Sequence, residues 1–323
     1  MLSQTIERLE GLVPPDRVFV ITNAEQRKAV LETCPTLLPE RVIGEPEGRD
    51  TAAAVGLAAL LVEKEGDDAA FALLPADHVI EDSEGFRATL EAAFAASEAE
   101  DFLVTVGIKP TFPSTGYGYL QRGRQLDLPV SSSLSQVDRF VEKPDLETAR
   151  AYLENGTYFW NAGMFVWRPS VILAEIDRLT PKLALGLSEL KTGWENSGNL
   201  EQAMATIYPS LEKISIDFAV MEKADAVVMV ESAFDWDDVG EWPAIARHCP
   251  QDENGNVFKG MGLAIDSSEN LTFSEDGHCI SLLGVKDLIV VQSGDATLIC
   301  HKDCAQRVKD LAQRVSDRHP ELG

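Results

Sequence analysis

Ala70-Phe71-Ala72-Leu73-Leu74-Pro75-Ala76-Asp77-His78 decides how the chain is read. An unbroken apolar run ended by proline has the pattern of a strand buried on both faces. The Asp and His that follow stand where an open α/β sheet binds its ligands, outside the carboxyl end of a strand. Working outward, residues 51–63 are rich in Ala and Leu and suit a buried helix, and residues 86–99 supply another. Residues 17–22, 41–44 and 102–108 read as further strands, and residues 25–32 as a short helix. Strands alternating with helices argue for a mostly parallel sheet covered on both faces. The spacing of Leu2, Ile6, Leu9 and Leu12 is helical from the first residue onward, so the chain opens inside a helix with no strand before it.

The middle is more mixed, with strands expected at 117–121, 136–142 and 162–167 and helices at 146–154 and 171–180. From about Gly260 the texture changes. Short apolar runs at 262–265, 279–283, 287–292 and 296–300 alternate with Gly, Asp, Ser and Asn turns, and a helix over 304–315 closes the chain. These runs are too irregularly spaced to count as a repeat array. The expected organisation is a domain over 1–259 and a small β-rich domain over 260–323.

Composition narrows the function. The chain has 323 residues, with 28 Lys plus Arg against 53 Asp plus Glu and a net charge of −25. That charge repels nucleic acid and anionic membranes, so neither is an expected partner. Cysteines at 34, 249, 279, 300 and 304 are odd in number and sparse, which favours a reducing, cytoplasmic setting. No run reaches the ~20 apolar residues of a membrane helix, and no signal peptide is recognisable.

Asp77 follows a buried strand, and Asp235, Asp237 and Asp238 cluster around Trp236. One carboxylate from each of two distant segments is the usual minimum for Mg²⁺; a helix-capping turn and a solvated acidic loop are the alternatives. In Phe140-Val141-Glu142-Lys143-Pro144 a charge pair ends a strand, where Lys can meet a phosphate and Glu can accept from hydroxyls, or both can simply be solvated. Asn161 sits amid large apolar residues from Phe159 to Trp167 and must be satisfied, by the backbone or by a sugar hydroxyl. Thr115-Gly116-Tyr117-Gly118-Tyr119 allows a ligand to approach the backbone, or is a plain turn. Cys300-His301 with Cys304 invites a zinc reading, but no paired CxxC accompanies it and packing is the better account. Motifs of serine hydrolases, zinc proteases and P-loop kinases are absent.

Together these segments resemble the bacterial mannose-1-phosphate guanylyltransferases of the sugar-nucleotidyltransferase superfamily. The carriers, in order, are Glu45 to Ala52 (EPEGRDTA), residues 73–78 (LPADH after Leu73), 115–119 (TGYGY), 140–144 (FVEKP), 160–167 (WNAGMFVW), 215–223 (SIDFAVMEK) and 236–242 (WDDVGEW). The resemblance implies a Rossmann-like nucleotidyltransferase domain, a homodimer, and GMP transfer from GTP to mannose 1-phosphate with release of pyrophosphate. It implies Asp77 and Asp238 as Mg²⁺ ligands and Lys143 as the group neutralising phosphate. Glu142, Asn161, Asp217 and the backbone near Gly118 and Gly163 are implied for mannose, and Glu45 and Asp50 for guanine. Family members open with a strand, a GGxGxRLxPLS loop and a Lys-Pro element, which do not stand before the first helix here. The resemblance therefore implies a sheet lacking its first strand and a chain impaired as given. The alternatives are a catalytically silent sugar- or nucleotide-binding regulator, and a nucleotidyltransferase using another sugar 1-phosphate and nucleotide.

Overall fold

The computed structural model describes residues 1–66, 68–128, 133–240, 242–275 and 277–319. Along the chain come α1 (Leu2–Glu7), β1 (Val20–Asn23), α2 (Arg27–Thr33), β2 (Val42–Glu45), α3 (Asp50–Lys64), β3 (Phe71–Leu73), β4 (His78–Val79), α4 (Ser83–Ala99) and β5 (Leu103–Ile108). Then follow β6 (Tyr119–Gln125), β7 (Leu134–Val141), α5 (Leu146–Asn155), β8 (Tyr158–Trp167), α6 (Pro169–Leu179), α7 (Pro181–Ser197), α8 (Leu200–Ile207), β9 (Val227–Glu231), β10 (Asp237–Asp238) and α9 (Trp242–Arg247). The last elements are β11 (Val257–Lys259), β12 (Met261–Ile265), β13 (Leu271–Ser274), β14 (Cys279–Leu283), β15 (Leu288–Ser293), β16 (Ala296–His301) and α10 (Val308–Arg318). Two compact units result, one of Met1–Ala76 with Ile80–Trp236 and one of Asp77–Val79 with Asp237–Gly323. The expected division at 259/260 falls between β11 and β12, inside the second unit.

The first unit is an α/β layer structure around a six-stranded sheet of order β3-β8-β5-β9-β7-β6. Strands β3, β5, β9 and β6 run one way, and β8 and β7 run against them, so the sheet is mixed and β5–β9 is its parallel ladder. The opposing direction has a local cause, because β6 and β7 form an antiparallel pair and β8 returns between β3 and β5. Side-chain alternation explains why the strands read as continuously apolar. Leu103, Phe159, Phe165, Trp167, Val227 and Met229 point to one face, packed by α3, α6, α7 and α8. Val104, Val106, Trp160, Met164, Val166, Val228 and Val230 point to the other, packed by Phe86, Leu90 and Ala93 of α4 and by Ala149 and Tyr152 of α5. Helix α3 is buried on most of its surface, and Gly56 lets α7 approach closely: a Cβ there would lie 2.3 Å from Leu187 Cδ1. Strands β1 and β2 form a separate parallel pair.

The second unit is β-rich, as expected, but its strands do form a repeating array. Parallel ladders β11–β13–β15 and β12–β14 stack coil upon coil, and β16 closes the stack antiparallel to β15. Val257, Leu271 and Ile289 lie in register at the core. The turn entering each coil repeats too, with Gly255 (φ 74°), Glu269 (φ 57°) and Asp287 (φ 56°) all left-handed. Below it, buried Asn256 and Asn270 stack: Asn270 Nδ2 donates to Asn256 Oδ1 (2.8 Å), and Asn270 Oδ1 accepts from Leu288 N (3.0 Å). Unequal coil lengths hid this period in the sequence. Among the described residues no helix is long and apolar enough to cross a membrane.

Candidate active site

Strand β8 is where the first unit's functional side chains begin. Its register against β5 shifts, with Thr105 opposite Phe165 and Gly107 opposite Asn161, so Ala162-Gly163-Met164 bulge from the ladder. Gly163 takes φ +66°, which a residue with a Cβ adopts poorly. The bulge leaves Asn161 on the face of α3. Its Oδ1 accepts from Thr105 Oγ1 (2.9 Å) and Gly163 N (3.1 Å), and its Nδ2 donates to Asp217 Oδ1 (3.2 Å). Asp217 opens a single π-helical turn, Asp217–Met221.

The end of β7 brings in the next groups. Glu142 is nearly buried, and its Oε1 lies 3.2 Å from Lys143 Nζ on a mostly exposed side chain. Lys143 has φ +46° immediately before Pro144, a strained backbone of the kind found at ligand sites. Gly118 passes so close that a Cβ would lie 2.5 Å from Glu142 Oε2, and its carbonyl accepts from Asn161 N (2.8 Å). Gly118, Glu142, Lys143, Asn161, Gly163 and Asp217 thus gather in one place. Burial is the largest cause that pushes the Glu142 carboxyl up, opposed by Lys143 and reinforced by Glu222. Burial, aided by Glu142 and Asp50, lifts Asp217 to about 7. Such a pocket offers amide and carboxyl groups to hydroxyls, with a cation at its edge.

Asp50 and Glu45 flank this group differently. Asp50 starts α3 with φ +63°, and Ile216 N donates to Thr51 Oγ1 (2.8 Å), which ties the helix start to the segment holding Asp217. Glu45, at the end of β2, accepts a short hydrogen bond from the fully buried Tyr208 hydroxyl. Burial pushes the Glu45 carboxyl up while that bond pulls it down.

Asp77 and Asp238 meet in the second unit. Strands β4 and β10 pair antiparallel with Asp238 opposite His78, and Val239 N donates to Asp77 O (3.1 Å). Ligand atoms of Asp77, His78 and Asp238 all lie within 4.8 Å of one another. Two carboxylates with the Asp77 side chain well exposed fit a hard divalent cation that keeps waters or phosphate oxygens in its shell. Asp237 is committed elsewhere: despite burial, its bonds to Arg247 and His248 hold its carboxyl below the ordinary range. Among the described residues Cys300, His301 and Cys304 form no such metal group.

Sequence reasoning passed over Thr105, Tyr208 and Glu222. Thr105 did carry a signal, as a hydroxyl in an otherwise apolar strand; nothing near Tyr208 in the sequence points to Glu45.

The sequence pattern of the family described as nucleotidyl transferase matches residues 1–255, and that of the MannoseP isomerase/GMP-like beta-helix domain matches residues 260–315. The chain belongs to the nucleotidyl transferase family. Among its relatives, a mannose-1-phosphate guanylyltransferase of Klebsiella pneumoniae is 40% identical over 97% of this chain and 66% of its own length. The xanthan biosynthesis protein XanB of Xanthomonas campestris pv. campestris is 38% identical over 92% of this chain and 62% of its own length. The chain thus spans less than two thirds of these two relatives. A crystal structure named as the mannose-1-phosphate geranyltransferase of Thermus thermophilus superposes with a TM-score of 0.81 at 35% identity, covering 98% of this chain and 89% of that one.

Proposed function

We propose that the chain transfers GMP from GTP to mannose 1-phosphate, giving GDP-mannose and pyrophosphate. The observation that carries this reading is the convergence of Gly118, Glu142, Asn161 and Asp217 around the β8 bulge, beside Lys143. Relatives named mannose-1-phosphate guanylyltransferase support the choice of substrates.

In this reading Asn161, Glu142 and Asp217 bind mannose hydroxyls, and the Gly118 and Gly163 backbone lets the ring approach. Lys143 neutralises the phosphate. A phosphate oxygen of mannose 1-phosphate attacks the α-phosphorus of GTP in line, the bond to the β-phosphate bridging oxygen breaks, and pyrophosphate leaves. The chain positions and neutralises charge, with no covalent intermediate. Asp77 and Asp238 would hold Mg²⁺, which would supply further charge neutralisation. Glu45, oriented by Tyr208, accepts from guanine N1–H and its exocyclic amine, with Asp50 nearby in sequence. The cysteines are free thiols, which supports a cytoplasmic setting. A second copy is the proposed partner, supported by the apolar outward positions Met261, Leu263, Ile265 and Leu283 of the β12–β14 sheet.

Turnover with four substrate pairings tests the reading, crossing GTP and UTP with mannose 1-phosphate and glucose 1-phosphate. Pyrophosphate release should be fastest with GTP and mannose 1-phosphate; preference for UTP with glucose 1-phosphate overturns it.

A further inference from the structure

Thr105 is 0% exposed, on a strand whose neighbours Leu103, Val104, Val106 and Ile108 are all apolar and buried. A valine of the same shape would fill that space without a hydroxyl to satisfy, so the hydroxyl calls for a reason. Its single hydroxyl proton faces two acceptors on the rims of the β8 bulge, Asn161 Oδ1 at 2.9 Å and Met164 O at 3.2 Å, and the shorter contact takes it to Asn161. On the other side of Asn161 Oδ1 stands Gly163 N at 3.1 Å, a group that can only donate. The atom facing it must be the amide oxygen, which fixes which way round the side chain lies. With the oxygen held by two donors, the NH₂ group points to Asp217 and the pocket.

We propose that Thr105 is a positioning residue for sugar recognition: by clamping the Asn161 amide oxygen across the β8 bulge, it presents the amide NH₂ as a fixed donor to a hydroxyl oxygen of the sugar phosphate. The proposal rests on the reading that Asn161 binds the sugar. It adds a group buried behind the pocket wall, which touches no ligand itself. Without the hydroxyl, Asn161 Oδ1 keeps a single donor and the amide can rotate, so part of the binding free energy is spent on fixing it again.

The test is calorimetric titration of mannose 1-phosphate into the full chain, comparing wild type with Thr105→Val, Thr105→Ser and Asn161→Ala, with GTP titrated into each as control. Thr105→Val should weaken mannose 1-phosphate about tenfold while GTP affinity stays within about twofold, and Thr105→Ser should restore the sugar phosphate to within about threefold of wild type. Asn161→Ala should weaken it at least as much as Thr105→Val. If Thr105→Val binds like wild type while Asn161→Ala is weakened, the positioning role is wrong and the sugar site stands. Equal loss in Thr105→Val and Thr105→Ser overturns it as well, because packing rather than the hydroxyl is then responsible. Wild type that does not bind, or Asn161→Ala that binds unchanged, sinks the sugar reading and the proposal with it. Should Thr105→Val not fold, the Thr105→Ala and Thr105→Ser pair isolates the same hydroxyl.

Discussion

Replacing Gly118 by alanine perturbs the pocket by a single methyl group. Its backbone lies outside the left-handed region, so alanine brings no conformational strain and the effect is purely one of space. The new Cβ would lie 2.5 Å from Glu142 Oε2, 3.4 Å from Asn161 Cβ and 3.6 Å from Phe140 Cε1. The last two are tolerable, whereas the first falls short of a normal contact of about 3.5 Å by roughly 1 Å. Glu142 must give way, yet it is nearly buried and tied to Lys143 at 3.2 Å, and its backbone N donates to Glu222 Oε1 at 3.2 Å. Moving such a group costs about 1–3 kcal/mol, the usual penalty for one extra methyl in a packed site. Where the sugar needs Glu142 in its wild-type place, returning it there adds that cost to binding, a loss of roughly 5- to 150-fold in affinity for mannose 1-phosphate. Calorimetric titration measures it directly, and a double-mutant cycle locates it: in a Glu142→Ala background the alanine at 118 should add little further loss. Binding within about twofold of wild type in Gly118→Ala would refute the steric reasoning, and so would full additivity in the cycle.

Other expectations follow from the same geometry. Asp217 is raised to about 7, so the folded chain binds a proton there that the unfolded chain has released; its stabilising contribution is present below about pH 4 and is lost as pH rises toward 7. Asp217→Asn should therefore flatten the decline in melting temperature between those limits, and an unchanged slope contradicts the assignment. Asp238→Asn should abolish stabilisation of the fold by divalent cations. Asp237→Asn should instead lower the metal-free melting temperature, removing stability that wild type loses only as pH falls through that lowered carboxyl pKa, because the carboxylate's bonds to Arg247 and His248 are lost. In the stacked coils, Asn270→Ala strips partners from Val285 O and Leu288 N and should cost about 3 kcal/mol in urea unfolding. Tyr208→Phe leaves the core filled but frees Glu45, and should erode discrimination between GTP and ATP in competition binding more than it changes mannose 1-phosphate affinity.

What the sequence disclosed depended on the range over which each feature is encoded. Helix α3 and strand β5 were legible because burial on most of their surface leaves an apolar run that needs no partner to be recognised; β3, whose apolar run reads as a strand buried on both faces, is instead a half-buried edge strand antiparallel to β8. The interior strand β9 carries an equally clear run, Val227-Val228-Met229-Val230, and was overlooked, as were α7 and α8. The stacked coils of the tail escaped for a physical reason: turn positions 255, 269 and 287 repeat in space but are unequally spaced along the chain, so no fixed period appears. Candidate residues were found as motifs, but their juxtaposition was not. That Asn161 is held by Thr105, or Glu45 by Tyr208, depends on strand register and helix packing across many residues. The β8 bulge that aims Asn161 is visible in the sequence only as a glycine between Ala162 and Met164.

The most direct measurement is product formation: mass spectrometry of GTP, mannose 1-phosphate and Mg²⁺ incubated with the chain, run as the 323 residues and with any upstream in-frame coding sequence included. The account predicts GDP-mannose and pyrophosphate in equal amounts, and their loss in Asp238→Asn. Formation of neither product by either form, or undiminished formation by Asp238→Asn, contradicts it.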